Sequence, residues 1–243
     1  FNQSGGIFAP GAGTVDVNGV FNLSGGTFNA PAGNMFVGFN FTHTAGTFNH
    51  NQGTLIFDSS HPAFGHNLPG NPGTGQFHNL VFALTTDNAS VTLGDDTWVA
   101  SGDITISNGQ VAFGILRPER NFTVGAGADG GDARVSFTGS AAQTFQNNGG
   151  VNLTGTFTVD KTSGTVTAAS DLLLGTSQAL NVSSGTLYLN DGSDLRAGNV
   201  TIGANGRLVN DTQTTITLGG NVANSGRIDL RGGGSACPGD DLI

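Results

Sequence analysis

Charge is scarce in this 243-residue chain: Asp, Glu, Lys and Arg together make 10% of it, with Lys161 the only lysine and Glu119 the only glutamate. Surface helices held by glutamate–lysine pairs four residues apart cannot be built from such a supply. Basic residues are the scarcer sign, 8 against 17 acidic, for a net charge of −9. Phosphate binding needs clustered Lys and Arg, so the composition argues against a nucleic-acid partner. A single cysteine, Cys237, excludes an internal disulfide framework. No run approaches the 18 or so apolar residues of a membrane-spanning helix. Sugar subsites are commonly built on exposed Trp and Tyr, and the chain holds one of each, Trp98 and Tyr188. No methionine opens the chain, no signal peptide is visible, and Phe1 falls inside a repeat. The expectation is a piece of a longer polypeptide.

What is abundant is glycine (41), phenylalanine (17), asparagine and β-branched residues, a mixture that favours strands and turns. Phe1-Asn-Gln-Ser-Gly-Gly-Ile-Phe8, Phe21-Asn-Leu-Ser-Gly-Gly-Thr-Phe28 and Phe41-Thr-His-Thr-Ala-Gly-Thr-Phe48 recur at a spacing of 20. Two Phe columns run through the copies, Phe1/Phe21/Phe41 and Phe8/Phe28/Phe48. Two Gly columns accompany them, Gly6/Gly26/Gly46 and Gly13/Gly33/Gly53. A unit of this length cannot bury a core alone, and so reads as one coil of a β-solenoid. Coils stacked at about 4.8 Å place like on like. Each buried ring then contributes about 1.5–3 kcal/mol, and favourable pairing about 0.5–1.5 more. The glycine before each second Phe marks a corner, where a positive φ costs glycine nothing.

The period breaks at 58–76, where Pro62, Pro69 and Pro72 predict a loop thrown out from the rod. Strands resume at Phe77–Leu84, Ser90–Leu93, Asp103–Ile106 and Gln110–Phe113, with Arg117-Pro-Glu-Arg120 and Gly125-Ala-Gly-Ala-Asp-Gly-Gly-Asp132 as turns. Corner glycines reappear at Gly164, Gly185, Gly206 and Gly226, intervals of 21, 21 and 20, now beside Val, Leu and Ile. The core is therefore expected to narrow toward the C-terminal side. Residues 1–243 read as one all-β domain, a right-handed parallel β-helix with coils of about 20 residues: regular Phe-ladder coils over 1–57, the loop, then further coils over 77–243.

Phe77-His-Asn-Leu-Val-Phe82, Val135-Ser-Phe-Thr-Gly-Ser-Ala-Ala-Gln-Thr144, Val159-Asp-Lys-Thr-Ser-Gly-Thr-Val-Thr-Ala-Ala-Ser-Asp-Leu172 and Asn224-Ser-Gly-Arg-Ile-Asp229 carry a family likeness. These runs resemble repeats of very large bacterial cell-surface and autotransporter-like proteins, the β-helical adhesins that include filamentous haemagglutinin. The resemblance covers most of 77–243 and rests on ladder and corner positions. It implies a secreted or surface-anchored fibre for adhesion, biofilm or envelope structure, and it carries over no catalytic motif. Its partners would be neighbouring segments of the parent chain, identical subunits, or glycans on a cell, host or matrix surface.

All five histidines lie between residues 43 and 78. His61 and His66 share the loop and are weak metal candidates. His43 stands where Gln3 and Leu23 stand in sister coils, and His50 where Pro10 and Ala30 stand, which reads as surface or edge placement. Asp95-Asp96, Asp129-Gly-Gly-Asp132 and Asp191-Gly-Ser-Asp194 are turns with oxygens for calcium, Asp129 and Asp132 first among them. Glycine beside aspartate is equally an ordinary turn. An enzyme acting on polysaccharide would need two facing carboxylates, or a base beside a calcium-bound acid. Lys161 reads as part of a Thr-Ser-Gly turn with only Asp160 near, and Arg117-Pro-Glu-Arg120 as an exposed ion-paired turn. The expectation is a non-enzymatic extracellular rod, with a filament subunit stacking end to end as the alternative and a polysaccharide-active enzyme less favoured.

Overall fold

Alternation of inward and outward residues builds the walls of the molecule. In Thr54–Phe57, Leu55 and Phe57 are buried while Thr54 and Ile56 are half exposed, the two-residue period of a pleated strand with one face in a core. Phe21–Asn29 is longer and bends at its Ser-Gly-Gly, where the pairing register shifts, so Phe21 and Leu23 point inward from one wall and Phe28 from the next. Asn34–Val37 closes the turn as a third wall. The structure, a computed structural model, describes residues 1–58, 77–85, 89–210 and 214–230, together with the backbone of His66–Asn67 and Asp241–Leu242. These residues form an all-β parallel solenoid of about ten turns, with coils averaging about 21 residues and no helix.

The third wall shows the stacking most directly. Its ladder partners run Val15, Met35, Leu55, Leu80, Ile104, Phe122, Phe145, Ala168, Leu189 and Asn210. Successive partners are unevenly spaced along the chain, closest from Ile104 to Phe122 and farthest from Leu55 to Leu80, yet each occupies the next level. The second wall runs from Thr97–Ala100 through Ile115–Pro118 and Arg134–Phe137 to Val222–Asn224. The described pairings are parallel except one: Asp241–Leu242 lies antiparallel against Ile228 and Asp229.

Phe21, Phe28 and Phe41 are at most 1% exposed, and Phe21 stacks on Phe41 at 4.8 Å and 10°. Phe1, 37% exposed, and the half-buried Phe8 end the columns. Aromatic packing continues past the insertion, where Phe77 stacks flat on Trp98 at 5.1 Å and 3°. Phe122, Phe137, Phe145 and Phe157 follow, and beyond them the buried hydrophobic residues are aliphatic, among them Leu172, Leu180, Leu187, Leu195, Val200 and Leu208.

The corner glycines divide into two kinds. Gly6, Gly26, Gly46, Gly164 and Gly185 adopt positive φ, from 68° to 91°. Gly206 and Gly226 do not; a Cβ on Gly206 would sit 1.9 Å from Val182 O, and one on Gly226 would sit 2.2 Å from Gly203 O. These two are required by the closeness of the coil beneath, which corrects their reading as left-handed corners. Gly125–Gly130 likewise belongs to the strand Phe122–Gly130 rather than to a turn. Within the insertion, His66–Asn67 pairs with Val91–Thr92; residues 59–65 and 68–76 of the expected loop lie outside the described residues.

Candidate functional site

Histidine burial differs from the reading of column tolerance as exposure. His43 is 5% exposed and faces inward, as Leu23 does one coil earlier. Its Nε2 donates to Gly46 O at 3.2 Å, while Nδ1 is buried without a partner. Burial lowers its pKa, and the Gly46 bond partly offsets this. Gln3, two coils away in the same column, solves the same problem by donating Nε2 to Thr27 O at 3.0 Å and also to Gly5 and Gly6 carbonyls. His50 is half-buried at a corner, and its ring stacks on that of His78 at 5.7 Å and 19°. His50 Nδ1 accepts the Gln52 N–H at 3.0 Å, and His78 Nδ1 lies 3.1 Å from Ser101 Oγ. The Gln52 bond places the His50 ring proton on Nε2, so that nitrogen has no lone pair for a metal. His61 and the side chain of His66 lie outside the described residues.

Lys161 was missed as a buried group. It belongs to the strand Phe157–Ala168 and is 1% exposed, with Nζ donating to Gln143 Oε1 and, at 3.3 Å, to Thr138 O. Gln143, itself 2% exposed, passes the chain on from Nε2 to Pro118 O at 2.8 Å. Desolvation lowers the Lys161 pKa. The signal was present in the inward alternation Phe157, Val159, Lys161. The deep carboxylate, Asp229, is a different case: Arg207 and Arg227 both bond it. Burial pushes its carboxyl up, the arginine bonds pull it down, and the net direction is below the ordinary carboxylate value.

The acidic turns act as brackets between coils. Asp132 Oδ1 accepts Phe113 N–H at 2.8 Å, holding Phe113 at φ 59°. Asn79, Asp103 and Asn121 form a series in which each Oδ1 accepts the backbone N–H one level on, at 2.9, 2.9 and 3.0 Å. Asp171 and Asp194 repeat it, accepting Asp194 N–H at 2.9 Å and Thr215 N–H at 2.7 Å. Asp129 bridges to Val151 through its backbone. Among the described residues no three His, Cys, Asp or Glu side chains converge on a common point. Arg117 and Pro118 sit in the strand Ile115–Pro118 beside Val99 and Ala100, while Glu119 and Arg120 are exposed. The expected ion pair is not formed there among the described residues.

An open concavity of about 560 Å³ follows three stacked turns past Asn147, Ser170, Asp171, Leu173, Asp191 and Ser193. Its polar groups are largely engaged within the wall. Asn147 donates to Gly150 O and Asn152 Oδ1, accepts from Gly149 N, and gives its own N–H to Ser170 Oγ. Such a groove offers a rigid, mildly acidic surface with one apolar step, Leu173. Among the described residues no helix is long and apolar enough to cross a membrane. No family model, curated protein or solved structure matches this chain.

Proposed function

We propose that the chain is a non-enzymatic, extracellular structural or adhesive rod of a bacterial surface. The observation that supports this reading is where its reactive side chains go. Lys161, Asp103, Asp132, Asp171 and Asp194 each hold one coil to another. Asp171 shares the groove beside Leu173 with Asp191, and its Oδ1 is engaged by Asp194 N–H. Asp103, Asp132 and Asp194 spend an oxygen on a backbone amide and Lys161 spends its ammonium on Gln143 and Thr138, whereas hydrolytic chemistry on a sugar needs two carboxylates facing the substrate. A ladder paired through successive levels stiffens the chain and leaves few openings for proteases. Binding then belongs to outward surfaces such as the groove beside Leu173, on glycans or matrix polymers.

A second reading, end-to-end stacking of identical copies, is favoured by the outer coils. Phe1, the outermost ring of an inward Phe column, is 37% exposed. At the other end a cavity of about 440 Å³ is lined by Val200, Leu208, Ile216, Leu218, Val222 and Ile228. Among the described residues the two outer coils thus carry apolar surface, which heterologous association into open filaments would cover. Electron microscopy of the purified chain across a concentration series separates the two. Single short rods at all concentrations support the spacer, and lengthening fibres support the filament. Turnover of a polysaccharide by the purified chain would overturn both.

A further inference from the structure

Two imidazoles stacked across a coil boundary sit beside the most strained turn among the described residues. The His50–Gly53 turn carries two non-glycine residues at positive φ, Asn51 at 46° and Gln52 at 60°. Such conformations cost of order 1–3 kcal/mol each and persist only where surrounding contacts hold them. Three bonds do so here: Gln52 N–H to His50 Nδ1 at 3.0 Å, Asn51 Nδ2 to Ala30 O at 2.7 Å, and Gly53 N–H to His50 O at 2.9 Å. Next level on, His78 lies flat against the His50 ring. A small void lined by Phe48, Phe77, His50, His78 and Met35 adjoins the pair. The contact joins the third coil to the fourth, on either side of the 58–76 insertion.

We infer that the His50–His78 stack is an acid-released latch between the Phe-ladder coils and the rest of the rod. When both rings are neutral the stack is free of repulsion and His50 Nδ1 can accept from Gln52. Protonating His50 puts a hydrogen on Nδ1, so the Gln52 bond is lost and the turn loses one of its three restraints. Protonating His78 as well sets two like charges face to face. Burial, and His78 beside it, already hold the His50 pKa below its ordinary value.

No carboxylate among the described neighbours faces the pair to neutralise it. The preceding turn, Ala30-Pro-Ala-Gly33, has no titratable group. Ser101, against His78, is neutral, and Asp103 two residues on turns its Oδ1 to Asn121 N–H on the following coil. Glu119 and Arg120 lie one level further still, bonded through their backbones to Ala100 and Gly102. His43, inside the same coil, is the remaining titratable neighbour, 6.5 Å from the Phe48 ring.

The chain has a built-in reporter. Trp98, its only tryptophan, is fully buried against Phe77, Phe57 and Phe41. Because His43 titrates nearby, the experiment starts from His43→Leu, the residue its column carries as Leu23. Trp98 emission is recorded from pH 8 to pH 5. The expected result is a reversible red shift with a midpoint below the ordinary imidazole value of about 6.5, weakened at roughly 1 M salt, where screening reaches about 3 Å. His50→Gln in that background should abolish it, and His78→Gln, which leaves the Gln52 bond to His50 in place, should shrink it. Emission that does not change across the range overturns the latch, and so does an acid shift that survives in His50→Gln or is undiminished in His78→Gln. Where a variant folds poorly, amide exchange at 50–53 and 77–80 in the His43→Leu chain decides. Acid-accelerated exchange there, relative to 27–29, supports the latch, and equal protection at the two pH values overturns it.

Discussion

Phe28 is fully buried, stacks on Phe8 and Phe48 at 5.1 and 5.5 Å, and meets Phe21 edge-on at 4.9 Å. Truncating it leaves a cavity between three levels, so Phe28→Ala should cost about 3–5 kcal/mol in denaturant unfolding. Lys161 poses the opposite question, since its ammonium is desolvated and no carboxylate among the described residues pairs with it. Its pKa is lowered in the folded chain. The unfolded chain therefore binds the proton more tightly, and the sign of linkage is that stability rises with pH until the unfolded value of about 10.4 is passed. Urea unfolding at pH 7 and pH 9.5 should show the wild type gaining stability with alkali and Lys161→Met losing that dependence. Gln143→Leu alone strands the charge and should cost about 3–5 kcal/mol, whereas Lys161→Met with Gln143→Leu should recover most of the loss. Residue-level legibility followed repetition. Phe21 and Phe41 were readable because identical side chains stack, and Lys161 was readable in principle from the inward alternation of Phe157 and Val159 before it. His43 was misread because Gln3 and Leu23 share its column. The mixed column reflects an interior corner whose backbone carbonyls, such as Gly46 O, satisfy a polar side chain that bends back to them.

Strands here are short, and their ends are held by the corners. Two glycines test the two reasons a corner needs glycine. Gly139 has φ 80° and open space around its α-carbon, so Gly139→Ala incurs only the left-handed strain, about 1–2 kcal/mol. Gly206 has the reverse, an ordinary φ and Val182 O where a Cβ would go. Gly206→Ala must push two coils apart, and should lower the melting temperature more than Gly139→Ala while loosening amide exchange at 180–182 and 200–202. The Asx brackets are weaker because they face water. Asp103→Ala should cost about 0.5–1.5 kcal/mol, with Asp103→Asn recovering most of it, since an amide oxygen accepts Asn121 N–H equally well. The strands themselves were legible from alternation, as in Thr54–Phe57, where Leu55 and Phe57 face inward between outward neighbours. Two expected pieces, Asp103–Ile106 and Gln110–Phe113, are one strand, Ile104–Ala112, because a strand of a solenoid bends at Gly109 without ending. The brackets were illegible: an aspartate beside glycine looks the same whether its oxygens face calcium, water or the amide of the next coil.

At the scale of the whole molecule, each level touches only its neighbours, so disturbance should stay local. Phe28→Ala is expected to weaken exchange protection over 21–57 and leave 180–210 near wild type, a pattern that a single cooperative core would not give. The fold was legible because its period was, while the joint between coils three and four was not. His50 and His78 are separated by an insertion that hides their adjacency, and only the ladder brings them face to face. The uneven partner spacing on the third wall, shortest from Ile104 to Phe122 and longest from Leu55 to Leu80, has a metric meaning. Extra residues go sideways into corners, and each level rises by the same inter-strand distance of about 4.8 Å. The molecule is thus a ruler graduated in turns and indifferent to chain length between marks. Duplicating the unit from Phe21 to Asn40 lengthens it by one graduation, while the same segment inserted at a corner leaves its length as it was.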